Sequence, residues 1–177
     1  MRDYLALAYE QGFTNAAYFD PQEVSFADAE VLREACRAND CGFYGKFWTC
    51  PPAVGTIEQC VNTFKSYRHG IILQLISEAV SSVFNPEFFS DISNSFNTMS
   101  KALKKEMEKE YADVYLLGMS GCNLCKNCNY PEKKCRKAQE MVPCISGHCV
   151  NVFKIWNASG HRQANLDESD FYSILLY

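Results

Sequence analysis

Three cysteines follow one another at every third residue in the stretch GCNLCKNCNYPEKKC, residues 121–135, and a fourth comes after six more residues. Side chains at this spacing cannot all lie on one face of a helix or of a strand. They can converge where a loop wraps around a central ion, and Gly121 and Asn123 are residue types that tolerate such a loop. The stretch therefore predicts a metal site whose ligands are Cys122, Cys125, Cys128 and Cys135.

The spacing also bears on which metal is bound. A C-x2-C-x2-C run is typical of ferredoxins, in which the cysteines bind a [4Fe–4S] cluster. Zinc sites more often contain two well-separated C-x2-C pairs. The pattern therefore favours a [4Fe–4S] cluster as the cofactor, with zinc as the alternative.

Whether the ten cysteines of the chain are free thiols or disulfides depends on the compartment of the protein. The first residues, MRDYLALAYEQ, lack the long apolar core of a signal peptide, so we expect a cytoplasmic protein in which thiols stay reduced. No apolar run has the length of a transmembrane helix. A net charge of −4 gives no reason to expect nucleic acid as a partner. We expect no membrane and no nucleic-acid binding, and the oligomeric state stays open.

A first group of cysteines precedes this loop, with spacings that match no simple metal motif. Two of its members lie in the aromatic, glycine- and proline-rich segment CGFYGKFWTCPP, which predicts a loop that packs over another part of the protein. One interpretation is a second metal site. The other is that the members on helices are small buried apolar residues. The group consists of Cys36, Cys41, Cys50 and Cys60.

Two patterns of the capping-box type predict where helices begin. Ser25 and Asp28 would open a helix that ends near Asn39, and Thr56 and Gln59 would open a second one. Further predicted elements are a helix at 3–11, a strand at 14–19, short helices up to about residue 140 and at 150–158, and a terminal strand at 171–177.

The middle of the chain predicts the fold class. A β-branched run at 71–76 indicates a strand, Asn85 and Pro86 begin a long helix to about Glu110, and 113–118 indicates another strand. This order predicts a βαβ unit with parallel strands and the cysteine loop at the carboxyl end of the second strand. We expect one α/β domain over 1–177, with a small mixed, partly parallel sheet, flanking helices and metal loops at about 36–60 and 121–149. The long helix would bury a stripe of Phe89, Ile92, Phe96, Met99, Leu103 and Met107.

Both cysteine groups together resemble a family of uncharacterised prokaryotic proteins known as predicted metal-binding proteins, from about Ala35 to the C-terminus. The early block of that family is similar to C-x4-C-G-x-Y-G-x4-C-P-P, and the later block to G-C-x2-C-x2-C with a following Cys-Arg. The resemblance implies that the first group also takes part in a metal site. The matching positions are Cys36, Cys41, Gly42, Tyr44, Gly45, Cys50, Pro51, Pro52, Gly121 to Cys128, Cys135, Arg136, Pro143 and Val150 to Lys154.

The chain departs from the family pattern after Pro143. Where the family tends to show Ser-Met-Glu-Ala, this chain has Cys144-Ile-Ser-Gly and then His148 and Cys149. One hypothesis is that His148 or Cys149 is an additional metal ligand. A second is that Cys144 and Cys149 form a redox pair, and a third is that these loop residues have no role.

Three functions are consistent with these patterns. The first is a cytosolic iron–sulfur protein that transfers electrons or supports a partner enzyme, with the basic side chains of the cysteine loop facing an acidic redox partner. The second is a zinc-stapled interaction module without redox activity. The third is an enzyme whose 41–50 loop shapes a small-molecule pocket, although the sequence contains no catalytic triad, phosphate loop or paired carboxylates in a fitting context. The basic residues are Lys126, Lys133, Lys134, Arg136 and Lys137.

Overall fold

The structure is a computed structural model that describes residues 2–77, 86–119, 121–165 and 167–177, except for the side chains of 86–90. Its centre is a four-stranded sheet in the order β1-β2-β4-β3, in which every pair of neighbouring strands is antiparallel. The strands are β1 (Asn15–Phe19), β2 (Gly70–Ser77), β3 (Tyr115–Leu117) and β4 (Ser169–Leu176).

The predicted α/β class is confirmed, but the partly parallel sheet is wrong. The two predicted strands of the βαβ unit, β2 and β3, run in the same direction without pairing, because β4 lies between them and is antiparallel to both. The residues of β4 from Phe171 to Leu176 are all buried, which suits a strand with neighbours on both sides and covered faces. Outside the strands, one isolated parallel bridge joins Gly118 to Cys144 among the described residues.

Among the described residues, five helices flank the sheet, and their first residues test the predicted capping boxes. At Thr56 the box is present in full: the Gln59 N–H donates to Thr56 Oγ1 at 3.2 Å, and the Thr56 N–H donates to Gln59 Oε1 at 2.9 Å. The helices are α1 (Tyr4–Glu10), α2 (Ala29–Ala38), α3 (Ile57–Lys65), α4 (Pro86–Met107) and α5 (Val152–Ala158).

The predicted box at Ser25 is wrong, because α2 begins only at Ala29, after Asp28 as its N-cap. The Asp28 carboxylate accepts hydrogen bonds from Asn151 Nδ2 at 2.8 Å and from Lys154 Nζ at 2.7 Å, so it joins α2 to α5 instead of capping its own helix. At the other predicted start, α4 begins at Pro86, and Asn85 lies outside the described residues.

The sheet is covered on both faces, because successive side chains of a strand point to opposite sides. Ile71 and Leu73 of β2 contribute to a core with α1 and α4, and Ile72 between them contributes to a core with α3 and α5. The described part of the predicted apolar stripe of α4 is confirmed, because Phe96, Leu103 and Met107 are fully buried. The side chain of Phe89 lies outside the described residues. The opposite core includes Phe64, Trp156, Tyr172 and Ile174.

The cysteine loop is a long excursion from the end of β3. Its base is closed by backbone hydrogen bonds from the Gly118 N–H to Pro143 O at 2.9 Å and from the Ile145 N–H to Gly118 O at 3.1 Å. The short helix that we expected up to Glu140 is absent, and turns take its place. The side chains from 136 to 140 are all exposed, so no buried apolar face is available to stabilise a helix there. No helix in the described part of the chain is both long and apolar enough to cross a membrane.

Candidate metal centre

The loop cysteines begin directly after a glycine with a left-handed backbone. Gly121 has φ +84°, a conformation that side chains with a Cβ rarely adopt, and a Cβ at this position would lie 3.1 Å from Phe43 Cζ. The role predicted for Gly121 in forming the loop is therefore supported by its backbone. Its N–H donates to the sulfur of Cys50, which ties the start of the loop to the earlier cysteine segment.

All four loop cysteines line one small cavity of about 20 Å³. Each of them is half-buried, so the sulfur atoms are shielded from solvent in part while the loop around them is exposed. The other lining residues are Trp48, Thr49, Leu124, Asn129, Arg136 and Met141.

The aromatic segment at 41–52 packs over this cavity, as its composition predicts. Trp48 lines the cavity, its ring lies edge-on to Tyr130 with centroids 5.0 Å apart, and its Nε1–H donates to Lys133 O at 3.2 Å. The early segment thus contributes a wall to the site of the later cysteines.

The electrostatics of Cys122 reflect this crowding of thiols. Burial raises the pKa of Cys122, and the neighbouring Cys128, Cys135 and Cys125 raise it further, whereas the N–H of Leu124 donates to its sulfur and lowers it. Thiolates close together repel one another, and a bound metal cation reverses that repulsion and deprotonates the thiols that coordinate it.

The donor set fits a thiophilic metal, since soft thiolates are the ligands that iron–sulfur clusters and zinc prefer. Within the described residues, however, no three His, Cys, Asp or Glu side chains are already arranged to hold an ion. Binding would therefore draw the sulfurs together, and the loop has the turn structure and exposed side chains that allow this.

The structure places the cysteines of the first group on different segments of the chain. Cys50 lies beside Cys144, because the Cys144 N–H donates to Thr49 O at 3.0 Å. Cys36 is on α2, and Cys41 is on the exposed loop that follows it. Cys60 is on α3 and contacts a buried arginine instead. The structure thus brings one of the four members, Cys50, together with one of the additional candidates, Cys144.

Arg33 is the residue that the sequence analysis missed. Only 5% of its surface is exposed, and its guanidinium donates to Gly55 O at 2.8 Å and to Gly147 O at 3.0 Å. Its Nη2 also lies 3.6 Å from Cys60 Sγ and 3.5 Å from Cys149 Sγ. No pattern in the sequence distinguishes this arginine from Arg37 on the same helix, which is exposed and pairs with Glu34.

Another of the additional candidates, His148, is 3% exposed and has both ring nitrogens in hydrogen-bond contact. Nε2 lies 2.8 Å from Tyr115 Oη, and Nδ1 lies 3.1 Å from Cys144 O. Burial lowers the pKa of His148 to about 4 and raises the pKa of Tyr115 to about 12. In this arrangement neither nitrogen of His148 is free to coordinate a metal.

Fold and site together define a cysteine-rich α/β protein with four cysteine side chains around one cavity. The model of the family described as predicted metal-binding protein (DUF2284) matches residues 17–177, and the chain belongs to this family. The resemblance that both cysteine blocks indicate is thereby confirmed, and the match extends from β1 to the end of β4. No curated protein and no solved structure matches the chain.

Proposed function

We propose that the chain is an iron–sulfur protein that transfers electrons to or from a partner protein. The observation that carries the proposal is that four cysteines with the spacing of a cluster-binding run line a single cavity. A [4Fe–4S] cluster bound there would supply one-electron oxidation and reduction. Its ligands would be the thiolates of Cys122, Cys125, Cys128 and Cys135.

Other residues of the chain would tune such a site. The Leu124 N–H donates to the Cys122 sulfur, and hydrogen bonds to sulfur stabilise the thiolate and raise the potential of a cluster. Trp48 covers the cavity and limits the access of water. Both features belong to the environment that sets a reduction potential.

The surface of the loop supports an acidic redox partner. Between residues 121 and 140 the chain has five basic and two acidic side chains, all of them exposed, although its overall net charge is −4. An exposed basic patch attracts an acidic surface and speeds encounter at low salt. The free thiols of the described chain fit a reducing compartment such as the cytoplasm.

A second candidate function is that of a zinc-stapled interaction module. The cavity of about 20 Å³ favours it, since that volume is close to what a single small ion or water needs. A [4Fe–4S] cluster is larger than a single ion, so binding one would require a larger rearrangement of the loop. In the zinc case the metal would stabilise the loop and would have no redox role.

Anaerobic purification, followed by measurement of iron, sulfide, zinc and the visible spectrum, distinguishes the two functions. One cluster at the loop predicts a brown protein in which Cys125→Ser removes about four iron and about four sulfide per chain. The matched control is Cys60→Ser, because Cys60 is a buried cysteine that does not line the cavity. Stoichiometric zinc with no sulfide, even after anaerobic reconstitution, would overturn the iron–sulfur proposal.

A further inference from the structure

A polar stripe runs along α4 beside the buried apolar one. Its members are three or four residues apart, so they lie on one face of the helix. That face is turned toward the start of the cysteine loop, with which it lines a common cavity. The stripe consists of Asn94, Asn97, Thr98 and Lys101.

This cavity between α4 and the loop has a volume of about 260 Å³. Pockets for drug-sized ligands usually measure about 300–1,000 Å³, so this one suits a ligand of few atoms. Cys122 and Leu124 line it and also line the small cavity of the four loop cysteines, so the two spaces share a wall. The other lining residues from outside the stripe are Gly121, Asn123 and Val142.

The charged groups around this cavity are unlike those of the chain as a whole. Its nine lining residues include one lysine and no aspartate or glutamate, whereas the net charge of the chain is −4. Lys101 is half-buried, and its ammonium group has no hydrogen-bond or ion-pair partner among the residues that the structure describes. Lys104 on the same helix, by contrast, pairs with Glu108. A lysine without a carboxylate partner at the wall of a cavity is suited to bind an anion.

Asn97 supplies a second donor to the cavity. Its Oδ1 accepts a hydrogen bond from the Met119 N–H at 3.4 Å. A Cβ at Gly118 would lie 2.6 Å from this oxygen, so the glycine allows the side chain to approach the backbone this closely. Because the amide oxygen is bound to the backbone, the Nδ2 group is the part of the side chain that stays available as a donor. Asn97 and Lys101 thus offer N–H groups to the same cavity, one helical turn apart.

The loop side of the cavity is held against α4 by side-chain hydrogen bonds. Asn123 Nδ2 donates to Asn94 Oδ1, which joins the start of the loop to the helix. Thr98 Oγ1 donates to Asn94 O at 2.8 Å, so the orientation of this hydroxyl is fixed as well. Both walls are therefore in place before a ligand binds, which lowers the entropic cost of binding.

We propose that this cavity binds a small oxyanion, a carboxylate or a phosphate, through Lys101 Nζ and Asn97 Nδ2. Both groups donate hydrogen bonds and one of them is charged, and the oxygens of carboxylates and phosphates accept from such groups. The site goes beyond the proposed electron-transfer site, because its donors come from α4 and not from the cysteine loop. An oxyanion there would lie beside Cys122, where its charge would act on the metal centre.

The test is calorimetric titration of the anaerobically purified full-length protein with inorganic phosphate and, separately, with acetate, both at constant ionic strength. Lys101→Met should weaken binding by about 10- to 100-fold, the loss expected for one charge-assisted hydrogen bond. Asn97→Asp should weaken it as well, because the variant keeps an acceptor for the Met119 N–H and replaces the Nδ2 donor by a carboxylate oxygen. The matched control is Lys105→Met, at an exposed position one turn further along α4 and outside this cavity, which should bind as the wild type does.

The titrations also show which oxyanion the site takes. Binding of phosphate alone assigns it to phosphates, binding of acetate alone assigns it to carboxylates, and binding of both supports the shared class. If neither ion binds the wild type, the proposal is overturned. An equal loss in Lys105→Met overturns it too, because the effect would then be one of general charge.

The metal content of the same samples separates this proposal from the electron-transfer one. Lys101→Met should keep the wild-type content of iron, zinc and sulfide. A loss of metal in this variant would overturn the oxyanion site, because Lys101 would then serve to offset the charge of the metal centre. A zinc protein without sulfide that binds phosphate through Lys101 would leave the oxyanion site standing, while the electron-transfer proposal fails.

Discussion

β2 and the cysteine loop are stabilised in different ways. Gly70 to Leu73 of β2 are buried, and the strand pairs with β1 on one side and β4 on the other. In the loop most side chains are half-buried or exposed, and the backbone hydrogen bonds described within 121–141 are local, such as the one from the Lys133 N–H to Asn129 O. Apolar burial therefore stabilises the sheet, whereas the conformation of the loop depends on Trp48, the closed base and, under the proposed function, a bound metal.

The two cysteine groups also differ in how firmly the fold holds them in place. Cys50 and Cys144 are buried and lie on segments that are bonded to each other, whereas the cysteines at 122–135 are half-buried on a loop of turns. The fold itself therefore fixes the positions of Cys50 and Cys144. Metal binding as proposed would add order mainly to the later group, because binding free energy at such a site is also folding free energy.

Removal of the metal should have the largest effect, and it should be confined to the loop. For structural zinc in small domains the apparent binding free energy is about 10–16 kcal/mol, far more than the local contacts of this loop supply. After anaerobic chelation we expect rapid proteolysis and hydrogen exchange within 121–141, with β2 and β4 still protected. Exchange of the β2 amides at the same rate as those of the loop would contradict the division into two regions.

Arg33→Met should lower the free energy of unfolding by about 2–5 kcal/mol, because the buried carbonyl oxygens of Gly55 and Gly147 lose their donor. The matched control is Arg37→Met on the same helix, where an exposed ion pair with Glu34 is lost and the change should stay within about 0.5 kcal/mol. Chemical denaturation measures both. Equal effects of the two substitutions would show that Arg33 does not anchor the junction of α2 with the turn at 146–148.

His148 should make the metal-free protein less stable at mildly acidic pH. Its pKa is lowered to about 4 in the folded state, so below pH 6.5 the unfolded chain binds the proton more readily than the folded one. From pH 7 to pH 5 the free energy of unfolding should fall by about 2 kcal/mol through this group. His148→Gln should remove that part of the decrease in denaturation curves, and identical curves for variant and wild type would contradict the prediction.

The sequence predicts the fold well where short-range chemistry determines it. The capping box at Thr56 and the apolar stripe of α4 depend on residues three or four positions apart, and the structure confirms both. The parallel pairing of β2 with β3 fails because β4, almost a hundred residues after β2, occupies the place between them. Strand neighbours at such a separation leave no local trace in the sequence.

The candidate site, too, was predicted only where its residues are close together in the sequence. The spacing of the later cysteines predicts their common cavity, since the loop that joins them is short. The partners of the earlier cysteines come from distant segments: Cys144 lies beside Cys50, and Arg33 lies beside Cys60 and Cys149. Both depend on the packing of α2 against the turn at 146–148, which the sequence analysis did not predict.

The central position of β4 has a consequence for the order of events during synthesis. Both cysteine groups precede residues 169–176 in the chain, so all ten thiols leave the ribosome before the strand that joins β2 to β3 exists. The sheet can close only afterwards, through pairings between distant residues, which form slowly. A nascent chain of this protein therefore presents unprotected thiols to oxidants and stray metal ions for longer than a fold with local strand pairing would.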